Sequence, residues 1–241
     1  KIAKKYNLVF IEDAAHALGA SYGKKKVGAH ADMTMFSFHP LKSITTGEGG
    51  AIVTNNKEYY EKLLLFRSHG ITKDVKKLIK KNNPAWYHEM QDLGYNYRIT
   101  DIQAALGVSQ MKKLDFFMEK RRALALRYQE ELKDLKNFIL PKVSPGSESS
   151  WHLFALRLVP NKKQLRDFCF AELQKAGIGV QVHYLPVYWH PYYEARGYKK
   201  GLCPHAEVFS ESEITIPIFP ALSFRDQALV IKTIKNIDQR L

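Results

Sequence analysis

The chain has 241 residues, 45% of them hydrophobic, with 37 basic and 24 acidic side chains and a formal net charge of +13. This length and apolar share suit one large domain or two small ones with a sizeable core, and exclude a disordered or low-complexity chain. No apolar run reaches the roughly 20 residues that cross a bilayer. The only cysteines, Cys169 and Cys203, make neither a metal site nor a disulfide framework, which points to a reducing cytoplasm.

In chain order, Lys1–Tyr6 reads as the end of a helix and Leu8–Ile11 as a strand. Leu8–Ile11 is an unbroken apolar run, as in a parallel-sheet strand covered on both faces. Glu12-Asp13 and then His16 lie at its C-terminal end, where open α/β sheets bind ligands. The apolar part of KIAKKYNLVF is too short, and too closely followed by acids, for a signal peptide. Gly23–Gly28 reads as a hairpin tip. Met33–Phe38 and Ala51–Thr54 are strands on either side of a polar loop, stopped by Pro40 and turned by Gly47, Gly49 and Gly50. In that loop sits Lys42, flanked by Ser37, His39, Thr45 and Thr46.

Lys57–Arg67 has helical spacing and ends at His69-Gly70. Thr72–Leu93 is a long polar excursion of the kind that serves a site or moves. Thr100 opens a helix, with Asp101 in its first turn and Gln103 completing a capping box. The pattern continues past Leu114 into a charged helix, Glu119–Leu135, that leads to a second domain. Trp151–Val159 then reads as a strand, Lys162–Ala176 as an amphipathic helix and Ile178–Tyr184 as another strand. An aromatic, proline-rich loop follows at Pro186–Pro204. Ala206–Ser212 is helical, Ile214–Ile218 extended, and Ser223–Leu241 a closing helix begun by a Ser–Asp pair. The expected division is 1–115 and 116–241.

A lone lysine at a strand edge is ordinarily solvated. A carboxylate at one strand end and a lysine after a later strand is, however, the arrangement a pyridoxal phosphate site needs. The lysine would form a Schiff base with the aldehyde, and the aspartate would keep the pyridine nitrogen protonated so that the ring acts as an electron sink.

The segments IEDAAHALGA, FSFHPLKSITTGEGGAIVTNN, FRSHG, LGYNYRITDIQAALGVSQMKKLD, VQVHYLPV and the late AE…IPIFPAL resemble, in the same order, the DegT/StrS family of sugar aminotransferases. The resemblance implies the α/β fold type I of pyridoxal-phosphate enzymes: the C-terminal part of a large mixed-sheet domain over 1–115, and a connecting helix with a small α/β domain over 116–241. Family members carry a segment before the point where this chain begins, so the chain is expected to lack it. That segment supplies donors to the cofactor phosphate and an aromatic that stacks on the ring.

Residue by residue, the resemblance makes Lys42 the cofactor lysine and Asp13 the partner of the pyridine nitrogen, in preference to Glu12. His16 falls near the ring, with a capping histidine as the plainer reading. Ser37 falls at the phosphate. Asn96 matches an asparagine that crosses from the neighbouring subunit to the phosphate, which would make a homodimer with shared sites; a turn asparagine is the alternative. Arg98 suits a donor carboxylate, a substrate phosphate or a structural ion pair. His183 and Tyr184 match an element near the sugar, where a histidine bonds a hydroxyl or packs. His39, next to Lys42, either takes part in function or shapes the loop.

ITTGEGG, WYHEMQDLGYNYRITDIQAALG and VQVHYLPVYWHPYY look most like the family members of pseudaminic acid biosynthesis. The activity so implied moves an amino group from glutamate to C4 of a UDP-linked 4-keto-6-deoxy-N-acetylhexosamine. The alternatives are another pyridoxal-phosphate reaction on a nucleotide sugar, such as dehydration, or an inactive remnant. Relatives that dehydrate carry histidine in place of this lysine. No metal is expected. The basic residues are dispersed rather than gathered on one face, which argues against nucleic-acid binding; they would attract anionic ligands in a general way.

Overall fold

The computed structural model describes residues 1–241, which form two compact units, Lys1–Leu114 and Asp115–Leu241. No helix is long and apolar enough to cross a membrane.

In the first unit the alternating MTMFS segment becomes the central strand, Met33–Ser37. It runs parallel to Ile11–Asp13 on one side and antiparallel to Gly50–Val53 on the other. Thr34 and Phe36 point to the buried face, as period-two alternation requires. The expectation for Leu8–Ile11 needs correction. Regular pairing starts only at Ile11, and Leu8, Val9, Phe10 and Ile11 are between 47% and 62% exposed. Their backbone is engaged otherwise. Phe10 N–H donates to the Asp32 carboxylate at 2.8 Å, and its carbonyl accepts from both Asp32 and Met33. Ile11–Asp13 is moreover an edge strand of its sheet.

The Lys57–Phe66 helix is capped by Asn56, whose side chain accepts from Glu58 and Tyr59 N–H. Its C-terminal end enters a tight knot. His69 and Gly70 both have positive φ, 62° and 68°. A Cβ on Gly70 would sit 1.7 Å from the Asp92 carbonyl oxygen, and one on Gly94 2.0 Å from Gly70 nitrogen. Only two glycines permit that approach. Tyr95 N–H donates to Phe66, His69 N–H to Tyr95 and Tyr97 N–H to Arg67, while Ser68 and Asn96 form an antiparallel bridge. The FRSHG and LGYNYR segments are thus one structural object. Between them the chain makes its excursion, closed by Ile71–Thr72 pairing with Glu89–Met90. The Glu89 carboxylate gathers the loop, accepting from Ile79 N–H, Lys80 N–H, Tyr87 OH and the Gln91 amide.

The capping box at Thr100 forms with both of its bonds. The helix it opens does not run on: it ends at Met111, and a second helix spans Leu114–Glu131.

In the second unit Phe154–Leu158 lies between Glu213–Ile216 and Phe138–Ile139, antiparallel to both. Tyr128, Phe154, Leu156, Cys169, Leu173, Ile214 and Ile234 belong to one contiguous core. Several polar groups inside it are paired, as burial demands, though the Arg121 Nε has no hydrogen-bond partner. Tyr128 OH donates to Pro217 O at 2.8 Å, and the Gln227 amide to Leu124 O at 2.7 Å. The Arg121 guanidinium reaches the carbonyls of Trp151, His152 and Ile218, and burial lowers its pKa to about 10. Cys169 is buried, which raises its thiol pKa to about 11, and Cys203 is exposed; both are free thiols.

The helix expected from Lys162 begins as a 3-10 segment, Pro160–Leu165, and is α only from Arg166 to Lys175. The strand expected over Ile178–Tyr184 reduces to a single bridge, Gln181 with Thr215. The ladder stops there because His183 N–H donates to the Glu213 carboxylate at 2.7 Å, not to a strand carbonyl. The closing helix, Phe224–Arg240, is capped by Ser223, which accepts from Asp226 N–H, and buries Val230, Ile231, Ile234 and Ile237.

Candidate active site

The Lys42 loop is closed at its base by Phe38. Its N–H donates to Gly49 O at 2.8 Å, and its carbonyl accepts from Thr46 N–H at 3.0 Å and from the Thr45 hydroxyl at 3.2 Å. The Thr46 hydroxyl donates to Glu48 O at 2.7 Å, and Gly47 N–H to the Thr45 oxygen at 2.9 Å. Each threonine therefore ties the loop to itself, as short hydroxyl side chains do in turns. Ser43, Ile44 and Thr46 are buried beneath it. A Cβ on Gly50 would lie 2.7 Å from Phe36 O, so the returning strand needs glycine where it leaves the loop.

The Asp101–Met111 helix braces the loop from outside. Gln103 does two jobs: its oxygen accepts from Thr100 N–H at 3.1 Å, and its amide donates to Glu48 O at 3.0 Å. One turn further on, Gly107 faces Thr46 so closely that a Cβ would stand 2.9 Å from the methyl group. The capping box was readable in the sequence; the second bond of Gln103 and the close approach of Gly107 were not, because both depend on a loop far earlier in the chain.

Inside the loop Lys42 N–H donates to His39 O at 2.9 Å, and Leu41 N–H to His39 Nδ1 at 3.3 Å. His39 thus shapes the backbone that carries Lys42. His39 N–H lies 3.4 Å from Ser37 Oγ. Lys42 is half-buried. Burial pushes its pKa below that of an ordinary lysine, and the Asp13 carboxylate acts in the opposite direction. The ammonium therefore lies within the field of Asp13. Both groups come from the ends of neighbouring parallel strands that open on the same edge of the sheet.

Adjacent strand residues face opposite ways, which separates the two acids. Glu12 accepts from the hydroxyl of Thr34, a fully buried residue, at 3.0 Å. Asp13 instead accepts from Ala15 N–H at 3.0 Å, turning the chain beyond the strand end, and is exposed there together with His16. Asn96 and Arg98 are placed on the knot at Gly70 and Gly94, exposed to solvent, and not in the Lys42 loop. His183 and Tyr184 belong to the second unit. Their rings meet edge to face at 4.6 Å, and His183 Nδ1 is 2.8 Å from Thr215 Oγ1.

Comparison with known proteins extends the pattern over nearly the whole chain. Residues 1–235 match the DegT/DnrJ/EryC1/StrS aminotransferase family. The chain belongs to that family. It is 43% identical over 244 residues to a UDP-4-amino-4,6-dideoxy-N-acetyl-beta-L-altrosamine transaminase of Campylobacter jejuni, covering 100% of this chain and 61% of the relative. Its fold superposes on Helicobacter pylori PseC, an aminotransferase involved in the biosynthesis of pseudoaminic acid. The TM-score is 0.89 at 36% identity, over 100% of this chain and 62% of that one. The PMP-form of the sugar aminotransferase Spr1654 of Streptococcus pneumoniae gives a TM-score of 0.87 at 31% identity, over 100% and 61% of the two chains. The fold is accordingly the α/β type I of this family. The chain spans about three fifths of the length of these relatives.

Proposed function

We propose that this protein is a pyridoxal-phosphate-dependent aminotransferase that moves an amino group from glutamate to C4 of a UDP-linked 4-keto-6-deoxy-N-acetylhexosamine. The observation that carries the reading is that Asp13 and the half-buried Lys42 follow neighbouring parallel strands at one edge of the sheet, with burial lowering the Lys42 pKa and the Asp13 carboxylate opposing it. The residues present fit the cofactor: an amine for its aldehyde, a carboxylate for its ring nitrogen and a hydroxyl for its phosphate. When bound, pyridoxal phosphate supplies the electron sink that lets a proton leave and return at the carbon bearing nitrogen.

The roles of the chain follow from donor and acceptor chemistry. Lys42 would hold the cofactor through its aldehyde, and its amine would be the group that carries the proton that must move. Its lowered pKa raises the share of neutral, nucleophilic amine at a given pH. Asp13 accepts from the protonated ring nitrogen, and Glu12, engaged with Thr34, is left out. The Ser37 hydroxyl, which accepts from His39, keeps its own proton and would donate it to the phosphate, and His16 would face the ring. Asn96 reaches the phosphate held by a second copy of the chain, which makes the working enzyme a homodimer with shared sites. The Arg98 fork takes the glutamate carboxylate or a substrate phosphate. His183 and Tyr184 meet the sugar. On this reading 1–115 is part of the cofactor-binding domain and 116–241 the connecting helix and small domain, in a cytoplasmic enzyme. A lysine in place of the dehydratases' histidine favours amino transfer over dehydration.

The test has two stages. The protein is incubated with pyridoxal phosphate and reduced with borohydride, and the modified residue is mapped by mass spectrometry. Label at Lys42, absent in Lys42→Ala, is expected; label scattered over surface lysines contradicts the cofactor reading. The protein is then given glutamate and a panel of nucleotide-linked 4-keto sugars. A 4-amino sugar from the UDP-linked substrate is expected, and no amine from any of them contradicts the reaction.

A further inference from the structure

We propose that Glu207 is a positioning residue that closes the aromatic loop 188–203: its ionised carboxylate ties the two ends of the loop together. It thereby fixes the path the chain takes after His183 and Tyr184. The consequence for the sugar rests on the aminotransferase reading; the closure itself does not.

The bonds meet at one atom. Glu207 lies in the first turn of the Pro204–Ser212 helix, where the helix dipole favours a negative charge. Its Oε1 accepts from the Tyr188 hydroxyl at 2.6 Å and from Gly201 N–H at 2.6 Å. The Tyr188 oxygen in turn accepts from Cys203 N–H at 3.1 Å. The start of the loop is thus joined to its end through one carboxylate oxygen and one phenol. Between those ends the chain folds on its own rings. Tyr193 meets Tyr192 at 5.2 Å and Tyr198 at 5.9 Å, edge to face in both cases. Arg196 lies 3.5 Å over Tyr192, and Lys200 4.3 Å over Trp189. Tyr192 is 61% and Tyr198 47% exposed, so burial contributes little to holding these rings in place. Leu185, Pro186 and Val187 are all that separates Tyr184 from Tyr188.

Charge gives the closure its strength, because hydrogen bonds to a carboxylate are about twice as strong as those to a neutral acceptor. The Tyr188 hydroxyl lowers the Glu207 pKa most. Burial opposes it, and the N–H groups of Gly201 and Cys203 and the Trp189 indole add to the lowering. Burial and the bond to Glu207 push the Tyr188 pKa up to about 12, so the phenol keeps the proton it donates. The closure is therefore complete above the ordinary carboxylate range and is lost as pH falls through the lowered pKa of Glu207.

Amide hydrogen exchange in the ligand-free chain, at neutral and at acid pH, reads the closure directly. In the unaltered protein the Gly201 and Cys203 amides should be protected at neutral pH and lose protection in acid, while those of Phe154–Leu158 keep theirs. Glu207→Gln retains an acceptor without the charge. It should lower the protection of Gly201 and Cys203 at neutral pH by about tenfold and abolish its response to acid. Equal protection in the variant and the unaltered protein overturns the proposal, and so does protection indifferent to acid. If acid also strips 154–158, the neutral comparison decides; if the variant does not fold, the acid response of the unaltered protein decides. In the transfer assay Glu207→Gln should raise the KM for the nucleotide sugar several-fold and leave that for glutamate unchanged. An unchanged sugar KM overturns the link to the sugar. No sugar or cofactor enters the exchange measurement, so a failed amino transfer leaves its result intact.

Discussion

The two units of this chain are stabilised in different ways. Asp115–Leu241 is built around a contiguous apolar core in which Phe154 packs on Tyr128 and Trp151 at ring distances of 5.0 and 5.5 Å. Lys1–Leu114 buries few large side chains and exposes Leu8, Val9, Ile11, Ile52 and Ile102. Its precision comes instead from glycines at points of backbone contact and from threonine and glutamine side chains bonded to carbonyls. The lysine and carboxylate proposed for catalysis lie in this second kind of structure. A packed core tolerates conservative swaps of volume, whereas a loop held by single hydrogen bonds and by missing Cβ atoms can be displaced at one position.

Substitutions can break that contrast. The largest effect is expected for Phe154→Ala, where a buried aromatic in the core should cost about 3–5 kcal/mol, read as a lower urea midpoint. A cost below 1 kcal/mol would mean that the core is not what holds this unit. Next is Gly70→Ala. The positive φ alone costs roughly 1–2 kcal/mol, and the clash with Asp92 O adds to it. Gly146→Ala is the control, with φ +78° and open space around the new methyl group, so it should lose the backbone term alone. Equal losses from the two would refute the account of the knot. The smallest effect is expected for Gln103→Glu. It keeps an acceptor for Thr100 N–H and removes the donor to Glu48 O, for about 1 kcal/mol. It should also slow borohydride trapping at Lys42, because the loop loses its brace; trapping at the unaltered rate would assign Gln103 to the capping box alone.

The same contrast explains what the sequence could reveal. The Met33–Ser37 and Gly50–Val53 strands, the Thr100 capping box and the Ser223 cap were legible because alternation and capping are local. The knot was not. FRSHG and LGYNYR each look like a loop, and only the approach of Gly70 to Gly94 joins them. Leu8–Ile11 misled because an apolar run records hydrophobicity, whereas burial depends on what packs against it. Ile178–Tyr184 has the composition of a strand, but a buried glutamate two strand positions from Thr215 takes the N–H that the ladder needed. Lys42 and Asp13 could be singled out by residue type and order; their electrostatic coupling required the sheet that aligns the two strand ends.

That coupling is the central claim, and titration of Lys42 tests it most directly. The amine can be followed by ¹³C NMR of the reductively methylated chain, with its signal assigned by Lys42→Arg. In the unaltered protein Lys42 should titrate below the other lysines. In Asp13→Asn the raising influence of the carboxylate is gone while burial remains, so its pKa should fall further. A Lys42 that titrates with the surface lysines, and does not respond to Asp13→Asn, would contradict the account.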